Sequence, residues 1–326
     1  MISAENLDQI ALAAQALRRG ELVGMPTETV YGLAGDARNE SAIRAIFARK
    51  GRPADHPLIV HLHAGEQLLD WADAPNALAL KLAAKFWPGP LTLILNKSAN
   101  ASPLLSGGQT SIGVRVPAHP VAQALLRAFG GALAAPSANR FGHISPTKAA
   151  HVREEFGEDL LILEGGSSEI GIESTIVDAR TLAPIILRPG SISEAEILRC
   201  AEEFSATVSS TENNLDAKAV RVSGALASHY APRTPCQLVE VLPESAKASE
   251  SAAVLALDQL PSGFVGIALP SNPTAYGFGL YNALRQLDRL AVRQIYIAAP
   301  PKTAEWTAIW DRLSRACSKA QPPSSW

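Results

Sequence analysis

Residues 21–63 read ELVGMPTETVYGLAGDARNESAIRAIFARKGRPADHPLIVHLH, and the rest of the chain is read outward from them. Leu22 to Met25 is a short apolar strand that ends at Pro26, which has no N–H to give to a ladder. Hydroxyls follow at Thr27, Thr29 and Tyr31, with Gly32 and Gly35 marking a polar turn. Asn39 then caps a helix through Ile43, Ile46 and Phe47. The helix runs out into Lys50-Gly51-Arg52-Pro53, and a second strand covers Pro57 to His63. The expected unit is strand, glycine-bearing turn, helix, basic turn, strand. It puts hydroxyls and two cations at the ends of rigid elements, where binding sites tend to lie. Taken alone, the same unit also reads as an ordinary β-turn-α-β element with solvated charges.

Going outward, helices are predicted over 6–19 and 65–87 (broken near Pro75), and a strand over Leu91–Leu95, launched by Pro88-Gly89-Pro90. Residues 98–109 read as a loop. A strand at Ile112–Val116, a helix at Pro120–Phe129 and a strand at Ala132–Ala135 follow. Next come a helix at Thr147–Phe156, strands at 160–163, 174–178 and 185–188, and a helix from Ser193 to Phe204. Several strands follow one another with no helix between, so a mixed sheet is expected. Residues 205–222 are rich in small polar side chains and read as a linker. From Gln237 the pattern strand, strand, strand, helix (Asn282–Val292), strand, helix predicts a second, smaller α/β unit.

The 326 residues are enough for about two domains. With 47% hydrophobic and 18% charged residues the chain can bury a core. Net charge is −2. Residues 1–200 carry 18 basic and 20 acidic groups and residues 201–326 carry 11 of each, so neither half is a basic block for bulk nucleic-acid binding. A local basic groove stays open. Cys200, Cys236 and Cys317 form no CxxC motif, and so sparse a set suits a reducing cytosol. The opening MISAENLDQI reads as a helix start rather than a signal peptide, and no apolar run approaches the roughly 18 residues of a membrane span.

Four constellations could carry chemistry. Thr27, Thr29, Lys50, Arg52 and His61 would suit a phosphate, Arg as a planar fork and Lys as a point charge. His61 and His63 share a strand face, which reads as a metal pair or as packed histidines. Arg115 alternates with apolar neighbours in Ser111–Pro117 and needs water, an anion or a strand-edge salt bridge. Ser137 and Asn139 follow a buried strand, with Ser145 shortly after. They form either a self-stabilised turn or a ligand-gripping loop. Arg188 ends a strand beside Pro189-Gly190, downstream of Glu173-Ser174-Thr175. No GxxxxGK[ST], GxSxG or HExxH motif is present, which removes P-loop, serine-elbow and zincin readings. Cations and neutral donors without paired carboxylates suit phosphoryl-group chemistry.

These segments, MPTETVYGL, Lys50-Gly51-Arg52-Pro53, PGPLTLIL, SIGVRVP, SAN and STIVD…LRPG, resemble in order the YrdC-like threonylcarbamoyl-AMP synthases over nearly all of residues 8–200. HYAPRTP and the trailing unit resemble the two-domain branch. The resemblance implies a YrdC-like twisted mixed sheet with helices (1–204), a linker (205–235) and a Rossmann-like α/β domain (236–326). It implies a cytoplasmic nucleotidyltransferase without a membrane span or a protein-bound metal, making threonylcarbamoyl-adenylate and pyrophosphate from L-threonine, bicarbonate and ATP, with Mg2+ on the phosphates. The product would pass to a downstream threonylcarbamoyl transferase complex for threonylcarbamoyladenosine formation in tRNA. Position by position, it implies Thr29, His61, Arg115 and backbone near Ala135 around threonine. Lys50, Arg52, His56, Ser111, Ser137, Asn139, Ser145 and Arg188 would surround ATP, with Lys50 and Arg52 catalytic and Tyr230 reaching over. His56 stands where asparagine is usual. Weak RNA contact is expected beside these substrates. An RNA-binding module, or a regulatory or ribosome-associated factor that binds ATP without turnover, are the other readings.

Overall fold

The computed structural model describes residues 4–205, 220–224, 229–247 and 251–318. Most of the linker expected at 205–222 lies outside these residues. Nine strands form the first sheet: β1 (Val23–Met25), β2 (Gly32–Asp36), β3 (Ile59–His61), β4 (Leu91–Asn96), β5 (Ser111–Arg115), β6 (Leu133–Ala134), β7 (Leu161–Ile162), β8 (Thr175–Asp178) and β9 (Ile185–Arg188). Their order is β7-β1-β2-β6-β3-β5-β4-β8-β9. Three pairs are parallel (β1/β7, β3/β5, β4/β8) and the other five antiparallel, so the sheet is mixed, as expected.

Helices cover both faces because their apolar stripes need a partner. α1 (Ala4–Arg18) and α5 (Pro120–Phe129) share one core with Val23, Met25, Ala34 and Leu133. On the other side lie α2 (Glu40–Lys50), α3 (Ala77–Phe86), the four-residue α4 (Pro103–Ser106), α6 (Ala149–Phe156) and α7 (Glu194–Ser205), around Leu58, Val60, Leu93 and Val114.

The second sheet is wholly parallel, in the order β10 (Cys236–Val239), β13 (Gln294–Ala298), β11 (Ala252–Leu257), β12 (Gly266–Leu269). α8 (Pro273–Asp288) and α9 (Thr307–Ala316) pack against it. Their core is continuous with Val30, Ile144 and Ile172 of the larger unit.

The main correction falls inside the opening stretch. Gly32 to Asp36 is not a turn but β2, hydrogen-bonded between β1 and β6. Its glycines serve close packing: a Cβ on Gly35 would stand 2.9 Å from Leu22 Cδ2 and 3.2 Å from Ile46 Cδ1. The loop expected at 98–109 contains the turn of α4, and Gly65–Asp70 is 3-10 rather than α-helical. α8 begins nine residues before the expected Asn282.

Candidate active site

The strand ends and the loops after them line a cavity. Thr29, His61, Arg115, Ala135, Ser137, Arg188 and Tyr230 line it, together with Glu173, Ser174, Ser223 and His229. The geometry is set by register. β3 and β5 run parallel with His61 opposite Arg115, so both side chains reach the same wall. Ala135 to Ser137 follow β6, which pairs with β3 on its other side.

The Arg115 wall is tightly bonded. Its Nη2 donates to Glu28 Oε1 at 2.6 Å, Nη1 to Thr29 Oγ1 at 2.9 Å and Nε to the Gly89 carbonyl at 3.1 Å. The arginine thus meets a buried carboxylate of the protein, not a strand-edge partner or water. Burial alone would push Glu28 up, but Arg115 holds it below the usual carboxylate range. One N–H on each terminal nitrogen of Arg115 is left over, since guanidinium has five.

His61 is fixed beside it. Its Nδ1 lies 3.2 Å from the Ile59 carbonyl, so the proton sits on Nδ1 and Nε2 keeps its lone pair. Burial and the Arg115 charge pull the imidazole down to about 3, so it is neutral at any ordinary pH. His61 and His63 do not form a pair. β3 ends at His61, and His63 Nε2 accepts from Arg127 Nε at 3.0 Å.

Three cations stand on and behind the opposite wall: Arg188 lines the cavity, whereas Lys50 and Arg52 do not. Lys50 Nζ donates to the Ser137 and Asn139 carbonyls, each at 2.6 Å, and so braces that loop from behind the wall. Arg52 Nη2 donates to the Pro57 carbonyl at 2.8 Å and approaches Ser223 Oγ at 3.4 Å. Arg188 donates through Nε and Nη2 to the Ser174 carbonyl and through Nη1 to that of Ser223. All three are buried, and among the described residues none is in an ion pair; their partners are carbonyls and hydroxyls. Burial accordingly lowers all three, Arg52 to about 10, with Arg188 adding to the shift.

Unmet polar atoms cluster in the same region. Among the described residues, Glu28 Oε2, Arg52 Nε, Asn139 Oδ1, His229 Nδ1 and the Tyr230 hydroxyl are buried with no hydrogen-bond partner. Buried polar groups are rarely left so, because each costs about 1–3 kcal/mol. Tyr230 is further held at φ +62°, in the left-handed region a bulky residue avoids.

Asn139 and Ser145 stand behind the cavity wall. Asn139 Nδ2 bonds the Arg140 and His143 carbonyls, and Ser145 Oγ donates to Glu173 Oε1 at 2.5 Å. His56 and Ser111 are not on the wall. His56 packs edge-on against Phe141, with centroids 5.2 Å apart, and Ser111 opens β5 opposite Asn96. Glu173 and His229, which line the cavity, and Glu28, which pairs with Arg115 beside it, were missed. The available signal was their position: Glu28 sits within the hydroxyl run after Pro26, and Glu173 between Ile172 and the apolar β8.

The family model for Sua5–YciO–YrdC, described as "Telomere recombination", matches residues 15–190. The model of the threonylcarbamoyl-AMP synthase C-terminal domain matches residues 192–318. A threonylcarbamoyl-AMP synthase of Pyrococcus abyssi is 36% identical over 320 residues, covering 94% of each chain. One from Bacillus subtilis is 37% identical over 331 residues, covering 95% of this chain and 93% of its own. The crystal structure of P. abyssi Sua5 complexed with L-threonine superposes with a TM-score of 0.84 at 34% identity, over 95% of this chain and 94% of the other.

Proposed function

The chain belongs to the Sua5–YciO–YrdC family in the form that carries the threonylcarbamoyl-AMP synthase C-terminal domain, and from this we propose that its cavity makes L-threonylcarbamoyl-adenylate. The enzyme is a nucleotidyltransferase: L-threonine, bicarbonate and ATP give the adenylate, pyrophosphate and water, for threonylcarbamoyladenosine modification of tRNA. One observation carries the reading furthest. Lys50, Arg52 and Arg188 are buried cations with no carboxylate partner among the described residues, which is costly unless an anionic ligand repays it.

The residues divide into two sides. On the threonine side, Arg115 offers its remaining N–H groups to the amino-acid carboxylate, with Thr29 and the backbone near Ala135 alongside. His61 Nε2 accepts from the threonine amine, which must be unprotonated to capture bicarbonate as a carbamate. A neutral imidazole suits that task; an imidazolium would repel the ammonium. On the nucleotide side, Lys50, Arg52, Ser137, Asn139, Ser145 and Arg188 hold ATP, with Ser111 and His56 flanking and Tyr230 closing over. The carbamate oxygen attacks the α-phosphorus, and the bond to the β-phosphate bridging oxygen breaks. The cations stabilise the charge that gathers on pyrophosphate, and positioning supplies the rest. Lys50 and Arg52 are the residues we assign to that charge.

Mg2+ is carried by ATP in this reading and shields its phosphates. The carboxylate that lines the cavity, Glu173, and the one beside it, Glu28, are engaged by arginines, so the protein's fit is to the magnesium–phosphate anion rather than to the bare ion. We also propose a catalytic unit at 1–204, a linker at 205–235 and a C-terminal unit at 236–326, supported by the division of strands between the two sheets. No helix among the described residues is long and apolar enough to cross a membrane. A cytoplasmic location, transfer of the product to a threonylcarbamoyl transferase complex and weak RNA contact belong to the same proposal.

The test is pyrophosphate release from ATP with each component withheld in turn. Release should need L-threonine and bicarbonate together. Release with either absent overturns the assignment.

A further inference from the structure

Glu173 is at odds with the pocket it lines. It shares the wall with Ser174 and Arg188, on the side assigned above to a polyphosphate, yet it is a carboxylate. An anion there should repel the ligand. Its counter-charge comes from the other domain. Arg312 on α9 donates through Nε to Glu173 Oε2 at 2.8 Å and through Nη2 to the Glu173 carbonyl at 3.2 Å. Tyr281 on α8 donates its hydroxyl to the same Oε2 at 2.9 Å. The second oxygen, Oε1, takes the Ser145 hydroxyl.

Arg312 is itself fully buried. Its Nη1 reaches the Pro189 carbonyl, next to Arg188, and the Asp311 carboxylate, which also holds Arg315. Its guanidinium lies 5.4 Å from the centre of the Tyr230 ring. So one carboxylate of the catalytic unit gathers two side chains of the C-terminal unit and one of the nucleotide residues. Burial would push Glu173 up, yet Arg312 and Arg188 bring it down to about 2, so it is fully charged and its charge is fully answered.

We propose that Arg312 and Tyr281 neutralise and orient Glu173, and that this pairing is what lets the C-terminal domain set the affinity of the ATP site through Ser145 and Arg188. Glu173 is a positioning residue in this account. It rests on the function proposed above. With Arg312 removed, a bare carboxylate faces the phosphates and Ser145 loses a fixed acceptor. With both charges removed, the repulsion goes too.

Three forms are compared for the KM of ATP, the KM of L-threonine, direct ATP affinity by calorimetry and the unfolding midpoint: the parent, R312Q and E173Q/R312Q. R312Q should raise the KM of ATP about tenfold while the KM of L-threonine moves less than about threefold. The double variant should recover most of that loss, to within about threefold of the parent, because the coupling is between two charges in contact. A double variant as poor as R312Q, or an R312Q with parental ATP affinity, overturns the proposal. If R312Q does not fold, the double variant decides it, near-parental ATP affinity supporting the pair and a tenfold loss refuting it. A parent chain that binds ATP but releases no pyrophosphate sinks the proposed function alone, and the pair is then judged on ATP affinity.

Discussion

Arg52 carries its charge into the protein and, among the described residues, meets only a carbonyl and a distant hydroxyl. A structural arginine would be given a carboxylate, as Arg285 is given Glu155 at 2.9 Å. This contrast separates groups kept for a ligand from groups kept for the fold. It predicts opposite effects of one substitution. Arg52→Met should lower kcat/KM by at least about 2 kcal/mol, if the guanidinium makes a charge-assisted phosphate contact. The ligand-free protein should be as stable as the parent or gain up to about 2 kcal/mol, because a buried unpaired charge is removed. Chemical denaturation beside steady-state kinetics reads both, and unchanged kcat/KM would remove Arg52 from the site. At this scale the cations were legible, since Lys50, Arg52, Arg115 and Arg188 stand at strand and helix ends among apolar neighbours. The carboxylates were not. Glu28 is paired across 87 residues and Glu173 across 139, and no local pattern announces such a partner. Arg312 had a visible signal: it lies on the face of α9 that buries Ala308, Ile309 and Ala316.

Helix α2 shows why some elements could be read directly. The Asn39 side chain accepts from the Ser41 and Ala42 N–H groups, and Gly51 ends the helix at φ +63°. Both are local chemistry, written in adjacent residues. The helix delivers Lys50 at its last turn, where the C-terminal dipole favours a cation, and Arg52 just beyond. Asn39→Ala should therefore cost about 1 kcal/mol of stability. It should leave the KM of ATP nearly unchanged, because the cap is at the far end from Lys50. A loss of ATP affinity without a loss of stability would contradict this. The unread elements fail for a common reason. β2 and the first half of α8 contain glycines that punctuate a sequence but here admit close neighbours. A Cβ on Gly279 would stand 2.6 Å from Leu269 Cδ2, so the residue that looks like a helix breaker is what lets α8 lie on β12. Pro273 occupies the first turn, where a missing N–H costs nothing.

At the scale of the whole molecule, a mixed sheet and a parallel sheet meet over a shared apolar core and a polar seam. Val30, Ile144 and Ile172 join the C-terminal core, while Glu155 takes Arg285 and Glu173 takes Arg312 and Tyr281. The larger fold and most of one pocket wall could be argued from residues 21–63 and the segments that echo them. The seam could not, because it is made of contacts between units that composition treats as separate. In the proposed reading the assembled molecule offers one cavity with a neutral imidazole and a braced arginine on one wall, and on and behind the other three cations with no carboxylate partner among the described residues. The claim that follows is that this pocket fixes bicarbonate carbon between an amino acid and a nucleotide. It is tested most directly by supplying 13C-bicarbonate with ATP and L-threonine and examining the product by 13C NMR and mass spectrometry. The account predicts the label in a carbamoyl carbon joined to both threonine and AMP, with one pyrophosphate released per labelled product. An adenylate without the label, or ADP in place of pyrophosphate release, would contradict it.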